Sequence, residues 1–170
     1  MGAYATGVGE ITTITSDAQF SSFTLNSNSK VTISGDVKIF VDGPFTMDSN
    51  SILEIAPGSN VEFYLGNGVF TQASNCQVHN LTYDPKCMAF IGTSTFQTMY
   101  WQANSQFYGV LYAPQAHVDM SANTDVFGSL VCNTLTMAAM AGIHYDESLA
   151  DWEDWGTNDW RYKVKDWQEY

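Results

Sequence analysis

Residues 103–113 read Ala-Asn-Ser-Gln-Phe-Tyr-Gly-Val-Leu-Tyr-Ala, and residues 122–132 read Ala-Asn-Thr-Asp-Val-Phe-Gly-Ser-Leu-Val-Cys. Aligned nineteen residues apart, Asn104 meets Asn123, Phe107 meets Val126, Gly109 meets Gly128, Leu111 meets Leu130 and Ala113 meets Cys132, without a gap. A chain that repeats in register builds one small unit and stacks it on the last, so this periodicity outranks any single-element propensity. The match extends both ways. Val118-Asp119-Met120-Ser121-Ala122-Asn123 returns as Leu135-Thr136-Met137-Ala138-Ala139-Met140, and Val126 as Ile143. Upstream, the run from Val37 to Gly43 pairs with that from Val61 to Asn67, and Phe45-Thr46-Met47-Asp48-Ser49-Asn50 returns as Phe70-Thr71-Gln72-Ala73-Ser74-Asn75.

Inside each unit apolar and polar residues alternate over a few positions, as in Val31-Thr32-Ile33, Val37-Lys38-Ile39, Val61-Glu62-Phe63 and Val118-Asp119-Met120. Period two means strands with one buried face. Between them stand Ser34-Gly35-Asp36, Asp42-Gly43-Pro44, Pro57-Gly58-Ser59-Asn60, Gly66-Asn67-Gly68 and the Asn-bearing corners, where glycine and asparagine accept the left-handed backbone of a sharp bend. Short strands, frequent corners and an in-register repeat predict an all-β fold, a single parallel β-solenoid. Right-handed coiling is the expectation for long, irregular repeats. A β-sandwich has similar strands but no reason to repeat in register, and ranks second. Coils rising roughly 4.8 Å each from about Phe23 to Ile143 give a rod on the order of 30 Å long.

A solenoid has two open ends whose unpaired ladder groups invite association, so both ends need caps. Residues 1–22 are the expected N-terminal cap, with a helix over Ser16-Asp17-Ala18-Gln19-Phe20 that Ser16 or Asp17 caps. Residues 23–143 are the coils. Residues 144–170 differ in kind, carrying Trp152, Trp155, Trp160 and Trp167 among eight acids and three bases. That aromatic density suits rings laid over the solenoid, or a surface that binds sugar rings or a partner strand.

Acids outnumber bases 18 to 6, for a formal net charge of −12. A phosphate-binding surface needs clustered Lys and Arg, so nucleic acid is excluded as a partner. No apolar run approaches the roughly 20 residues needed to span a bilayer, and Met1-Gly2-Ala3-Tyr4 lacks the charged-then-apolar order of a signal peptide. Cys76 and Cys87 bracket a ten-residue loop and form a candidate disulfide of an exported protein. Cys132 lies in an apolar run, where a thiol behaves as a small hydrophobe. Neither CxxC nor paired histidines occur at ligand spacing, so no metal and no cofactor is expected.

Catalysis has little to work with. His144-Tyr145-Asp146-Glu147 joins an imidazole to carboxylates, and a helix there would bring His144 near Ser148. His117 and His79 fall at corners. Polysaccharide-degrading β-helices gather carboxylates on one face, whereas the acids here are scattered among corners, with Asp48 and Asp125 beside turn asparagines. No catalytic residue is assigned.

Phe107-Tyr108-Gly109-Val110-Leu111-Tyr112-Ala113-Pro114-Gln115-Ala116, then Val126-Phe127-Gly128-Ser129-Leu130-Val131, then Ile143-His144-Tyr145-Asp146-Glu147-Ser148-Leu149 resemble an uncharacterised bacterial β-solenoid domain. That domain often forms the C-terminal part of exported proteins whose N-terminal segment looks like pilus-assembly or minor-pilin proteins. Asp36 to Gly43 and Ile55-Ala56-Pro57-Gly58 look like its upstream coils, so the resemblance spans roughly residues 30 to 150. Cys76, Cys87 and the Trp-rich tail depart from its pattern. A weaker likeness to ice-binding solenoids and adhesin domains runs through Tyr100-Trp101-Gln102, but Thr46, Thr71, Thr124 and Thr136 make no Thr-x-Thr ladder. The resemblance implies an exported, non-enzymatic structural or adhesive module at the cell surface, with self-association through the open ends as a further expectation. The alternative is a carbohydrate-binding or carbohydrate-active solenoid, with Trp101, Trp152, Trp155 and Trp160 as the candidate ligand-binding residues.

Overall fold

The structure is a computed structural model and describes residues 1–151. Its strands wind into a three-faced prism, and every pairing between coils is parallel. Face A stacks β2 (Ile11–Ile14), β4 (Lys30–Ile33), β7 (Ile52–Ile55), β10 (Gln77–Asn80), the starts of β13 (Gln106–Met120) and β14 (Asp125–Met137), and β15 (Gly142–Tyr145). Face B stacks the start of β3 (Ala18–Leu25), β5 (Asp36–Val41), β8 (Asn60–Leu65), β11 (Met88–Gly92) and the middles of β13 and β14. Face C stacks β1 (Gly2–Ala5), the end of β3, β6 (Phe45–Met47), β9 (Val69–Gln72), β12 (Thr98–Trp101) and the ends of β13 and β14. The chain is a parallel β-solenoid. Among the described residues there is no α-helix, only the 3₁₀ turns Pro85–Cys87 and Glu147–Asp151.

The repeat read from the sequence is the register of the ladder. Phe107 pairs with Val126, Gly109 with Gly128, Leu111 with Leu130 and Ala113 with Cys132. Val37 pairs with Val61, Phe45 with Phe70, Val118 with Leu135 and Val126 with Ile143. Register fixes the core, because a one-residue slip would turn every apolar side chain outward. Face A points Val31, Leu53, Val78, Phe107 and Val126 inward, face B points Ile39, Phe63, Phe90 and Leu111, and face C points Phe23, Phe45, Phe70, Met99 and Val118; all are buried. The files meet on the axis as interlocked rings, with centroids 5.4 Å apart for Phe45 and Phe63, 5.0 Å for Phe63 and Phe90, and 5.2 Å for Phe90 and Phe107. Each such side chain contributes about 1.5–3 kcal/mol of burial, and neighbouring rings add an edge-to-face term.

One corner, between faces C and A, recurs in all seven turns. Gly9, Asn28, Asn50, Asn75, Asn104, Asn123 and Met140 occupy it, all at φ between 57° and 71°. Asparagine tolerates this left-handed well far better than other side chains. The asparagine amides also bond along the stack: Asn50 Nδ2 donates to Asn28 Oδ1 at 3.4 Å, Asn104 Nδ2 to Asn75 Oδ1 at 3.3 Å, and Asn123 Nδ2 to Asn104 Oδ1 at 3.1 Å. The following residue turns inward as a buried hydroxyl or thiol. Ser105 Oγ donates to the Ala73 carbonyl at 3.1 Å and Thr124 Oγ1 to that of Gln102 at 3.3 Å, which satisfies the polar groups that a sharp bend would otherwise bury unpaired.

Glycine serves a different corner. At Gly128 (φ +130°) a Cβ would stand 2.0 Å from the Gly109 carbonyl oxygen, so Gly109 and Gly128 mark where successive coils bend from face A to face B in close contact. The corner asparagines Asn75 and Asn104 are 29 residues apart and Asn104 and Asn123 are 19, because the longer coil carries additions at two corners, residues 81–87 and 93–97.

The expected helix at Ser16–Phe20 is absent. Ala18, Gln19 and Phe20 are extended and pair with Ile39, Phe40 and Val41, and Asp17 accepts the Lys38 backbone N–H at 2.8 Å instead of capping a helix. The stack offers these residues a complete ladder, which a single helical turn cannot match. Residues 1–22 therefore enter the coils, with β1 and β2 forming the first turn.

Replacing Asn104 by Ala should lower stability by about 1–2 kcal/mol, from left-handed strain and two lost side-chain bonds, whereas Asn104→Gly should lose less. Met140 sits in the same well without a suitable side chain, so Met140→Asn should raise stability by up to about 1 kcal/mol. Urea unfolding midpoints at constant m-value check both.

Candidate binding surface

Trp101 does not reach solvent. It is 1% exposed, points inward from β12 above Gln72, and its ring lies 5.5 Å from Phe107. The alternation of β12 decides this, because Met99 and Trp101 share the inward side while Tyr100 takes the outward one. Trp101 is thus corrected from candidate ligand contact to core residue. Trp152, Trp155 and Trp160, the other candidates, lie outside the described residues. Gln72 Nε2 donates to the carbonyls of Cys76 at 2.9 Å and Gln106 at 3.1 Å, fixing its amide inside the stack.

Face A carries an outward file that continues from coil to coil. Thr13, Thr32, Glu54 and His79 stand in register, and Tyr108, Phe127 and His144 form the same kind of row above them. Tyr108 and Phe127 stack with centroids 6.0 Å apart, and Phe127 and His144 at 4.6 Å, interplanar 12°. His144 Nε2 also lies 3.0 Å from Asp125 Oδ1 of the coil below. The expected neighbour Ser148 instead donates its backbone N–H to Asp146 at 2.9 Å, because residues 142–145 form a strand and not a helix.

The corner insertion frames this row. Asn80 Nδ2 donates to the Asp84 carbonyl at 2.7 Å, Asn80 Oδ1 accepts from the Thr82 N–H at 3.0 Å, and Asp84 Oδ1 caps the Lys86 N–H at 2.9 Å. The bend raises Tyr83, at φ 57° and 80% exposed, beside the row. His79, Leu81, Tyr83, Gln106, Tyr108 and Phe127 line a hollow of about 230 Å³. Burial, followed by the charges of Asp146 and Asp84, raises the Tyr108 phenol above its ordinary pKa, so it stays a neutral hydrogen-bonding group. Rings flanked by an imidazole and a carboxamide can take a ligand with an apolar face and hydroxyl edges. The row was visible in the alignment that set Gly109 on Gly128, since Tyr108 and Phe127 precede those glycines; the insertion that frames it falls where the repeat breaks.

Face B shows a second outward row, Phe40, Tyr64, Ile91, Tyr112 and Val131, one per coil. Burial first, then a hydrogen bond and the charge of Glu62, push the Tyr64 phenol up to about 12. Face C presents an outward file of Thr24, Thr46 and Thr71 followed by Tyr100 and Asp119, and from β9 onward a second one of Val69, Thr98, His117 and Thr134. Among the described residues, no three His, Cys, Asp or Glu side chains are placed to hold a metal ion, and no helix is long and apolar enough to cross a membrane.

Cys76 and Cys87 are not joined. Cys76 is buried at the asparagine corner where neighbouring coils place serine or threonine, and its Sγ donates to the Asp48 carbonyl at 3.0 Å with Ser51 Oγ 3.5 Å away. Cys87 ends the 3₁₀ turn at the far edge of face A. The four residues of β10 separate the two corners by roughly 13 Å, beyond the ~7 Å between Cα atoms that a disulfide spans. The spacing in sequence looked suitable because it counted residues and not the extended strand between them.

Seven parallel coils with structured outward rows define a β-solenoid domain. The chain belongs to the family described as Domain of unknown function (DUF7305), whose model matches residues 11–152. No curated protein and no solved structure matches it significantly.

Burial raises the Cys76 thiol pKa, so thiolate is scarce there. Mass spectrometry after native alkylation should find no Cys76–Cys87 bridge, with Cys76 unmodified until the chain is unfolded. For Tyr64, a folded pKa above the unfolded value means a stabilising contribution that is complete below pH 10 and lost as pH rises toward about 12. Tyr64→Phe should flatten that part of the alkaline unfolding curve.

Proposed function

We propose that this chain is a non-enzymatic structural or adhesive module of an exported protein displayed at the cell surface, on a pilus-like assembly. The observation that carries the reading is the register-locked stack itself. Side chains that could serve chemistry are engaged in holding coils together: His117 Nδ1 lies 2.7 Å from Thr134 Oγ1, His144 pairs with Asp125 and stacks on Phe127, and Lys30 pairs with Glu54 at 2.7 Å. Such a rod holds its outward rows at fixed spacing, which suits spacing and display. The exported context rests on the family-like sequence and is an argument by analogy. Antibodies against the purified chain should label intact, unpermeabilised cells that produce the protein. Labelling that appears only after lysis would contradict the proposal.

The hollow on face A favours a second reading, saccharide binding. Tyr83, Tyr108 and Phe127 supply rings, and His79 and Gln106 supply hydrogen-bonding edges. On a glycan array, binding that weakens at least about tenfold in Tyr83→Ala, the loss of one stacking contact, supports it. A blank array, or binding indifferent to Tyr83, counts against it.

A further inference from the structure

Where face C runs into the asparagine corner, the shoulder of the rod is built from small side chains set between larger ones. The ladder places them. Tyr100 pairs with Thr71 on one side and Asp119 on the other, all three outward. Just past the strands the Gln102 N–H donates to the Gln72 carbonyl and the Ser121 N–H to the Trp101 carbonyl, both at 2.8 Å, so Gln102 and Ser121 continue the register side by side. Ser74 and Ala103 follow at the bend, where the Asn75 N–H donates to the Ala103 carbonyl at 3.1 Å. Because Ser74, Ala103 and Ser121 are short, the stack leaves a hollow of about 430 Å³ that Tyr100, Gln102 and Asp119 complete. That volume is in the range of small-molecule sites.

The polar groups of this hollow differ from those on the rest of the coils. Glu54 pairs with Lys30 at 2.7 Å, Glu62 with Lys38 at 3.3 Å and Asp125 with His144 at 3.0 Å, and Asp36 accepts from Asn60 at 2.9 Å. Among the described residues, the Asp119 carboxylate, the Gln102 carboxamide and the Ser74 and Ser121 hydroxyls have no such partner. Tyr100, 42% exposed, stands one coil from Asp119, roughly 4.8 Å along the axis. A carboxylate beside a ring face attracts an ammonium group, by a charge-assisted hydrogen bond and by the ring quadrupole. The net charge of −12 concentrates such cations at the surface. A lysine side chain would leave the carboxamide and hydroxyls unused, whereas the hydroxyls of a pyranose would engage them and its C–H face would lie on the ring. We propose that this hollow binds a saccharide carrying a free amine, an amino-sugar unit of a glycan. Asp119 holds the ammonium group, Tyr100 the apolar face, and Gln102 and Ser121 the hydroxyls. The site is separate from the hollow on face A and does not depend on it.

Two-dimensional amide spectra of the full chain, titrated with a glucosamine tetramer, test it. Cross-peaks of Tyr100, Gln102 and Ser121 should shift, while those of Tyr83, Tyr108 and Phe127 stay in place. The N-acetylated tetramer, which lacks the charge, should bind at least about tenfold more weakly, and the glucosamine tetramer should lose a similar factor against Asp119→Asn. Glu147→Gln, at an exposed position, removes the same unit of charge elsewhere and should leave the affinity unchanged. The amides of β4, β7 and β8 report that both variants are folded. No shift, equal binding of the two tetramers, or binding that ignores Asp119→Asn overturns the proposal. Equal weakening by both variants also overturns it, as attraction to net charge alone. Shifts confined to Tyr83, Tyr108 and Phe127 would instead assign the amine to face A and overturn it. So would a tetralysine peptide that binds Tyr100 and Asp119 more tightly than the sugar, which would make the ligand a basic protein segment.

Discussion

Everything in this molecule hangs on a corner that must turn left-handed once per coil. A strand arriving on face C has to bend onto face A within four or five residues, and the geometry that does so lies in a backbone region most side chains avoid. Asparagine enters that region cheaply, and its amide then bonds to the asparagine of the adjacent coil, as Asn123 does to Asn104 and Asn104 to Asn75. The same residue thus bends the chain and sets its register. Once register is set, each coil buries Phe, Leu, Ile and Val against the coils on either side, and the cooperative cost of ordering backbone is met by contacts repeated along the axis.

That arrangement explains why departures from the repeat carry the distinctive surface. Between Asn75 and Asn104 the coil is longest, and the added residues leave the stack at corners, where they do not disturb inward files. The insertion at residues 81–87 is rigidified by Asn80, Thr82 and Asp84, and it sets Tyr83 beside the row that Tyr108 and Phe127 build. A loop held by its own hydrogen bonds on a rigid scaffold is where recognition is usually found. The faces between corners are constrained by register, and their polar side chains pair across coils, as Lys30 does with Glu54.

The coils were legible in the sequence because the repeat is a direct copy of the ladder. Setting Gly109 on Gly128 and Phe45 on Phe70 reproduced pairs that the backbone forms. The first turn was not, since Ser16 to Phe20 has helix-start chemistry locally and its partner strand, Ile39 to Val41, is distant in sequence. Trp101 was misplaced because a large aromatic beside Tyr100 suggests a surface, and only the phase of β12 shows which of the two points inward. The pairing of Cys76 with Cys87 failed on length, as an extended β10 holds the thiols at opposite edges of one face. The missing information was three-dimensional in each case: a partner strand distant in sequence, the phase of β12 and the length of β10.

The central claim is that parallel coils are locked in register at the asparagine corner. Nuclear Overhauser contacts in the labelled full-length chain test it most directly. The account predicts cross-coil contacts between the side-chain amides of Asn75 and Asn104 and of Asn104 and Asn123, together with couplings that report positive φ at all three residues. Contacts showing antiparallel neighbours, or negative φ at these asparagines, would contradict it.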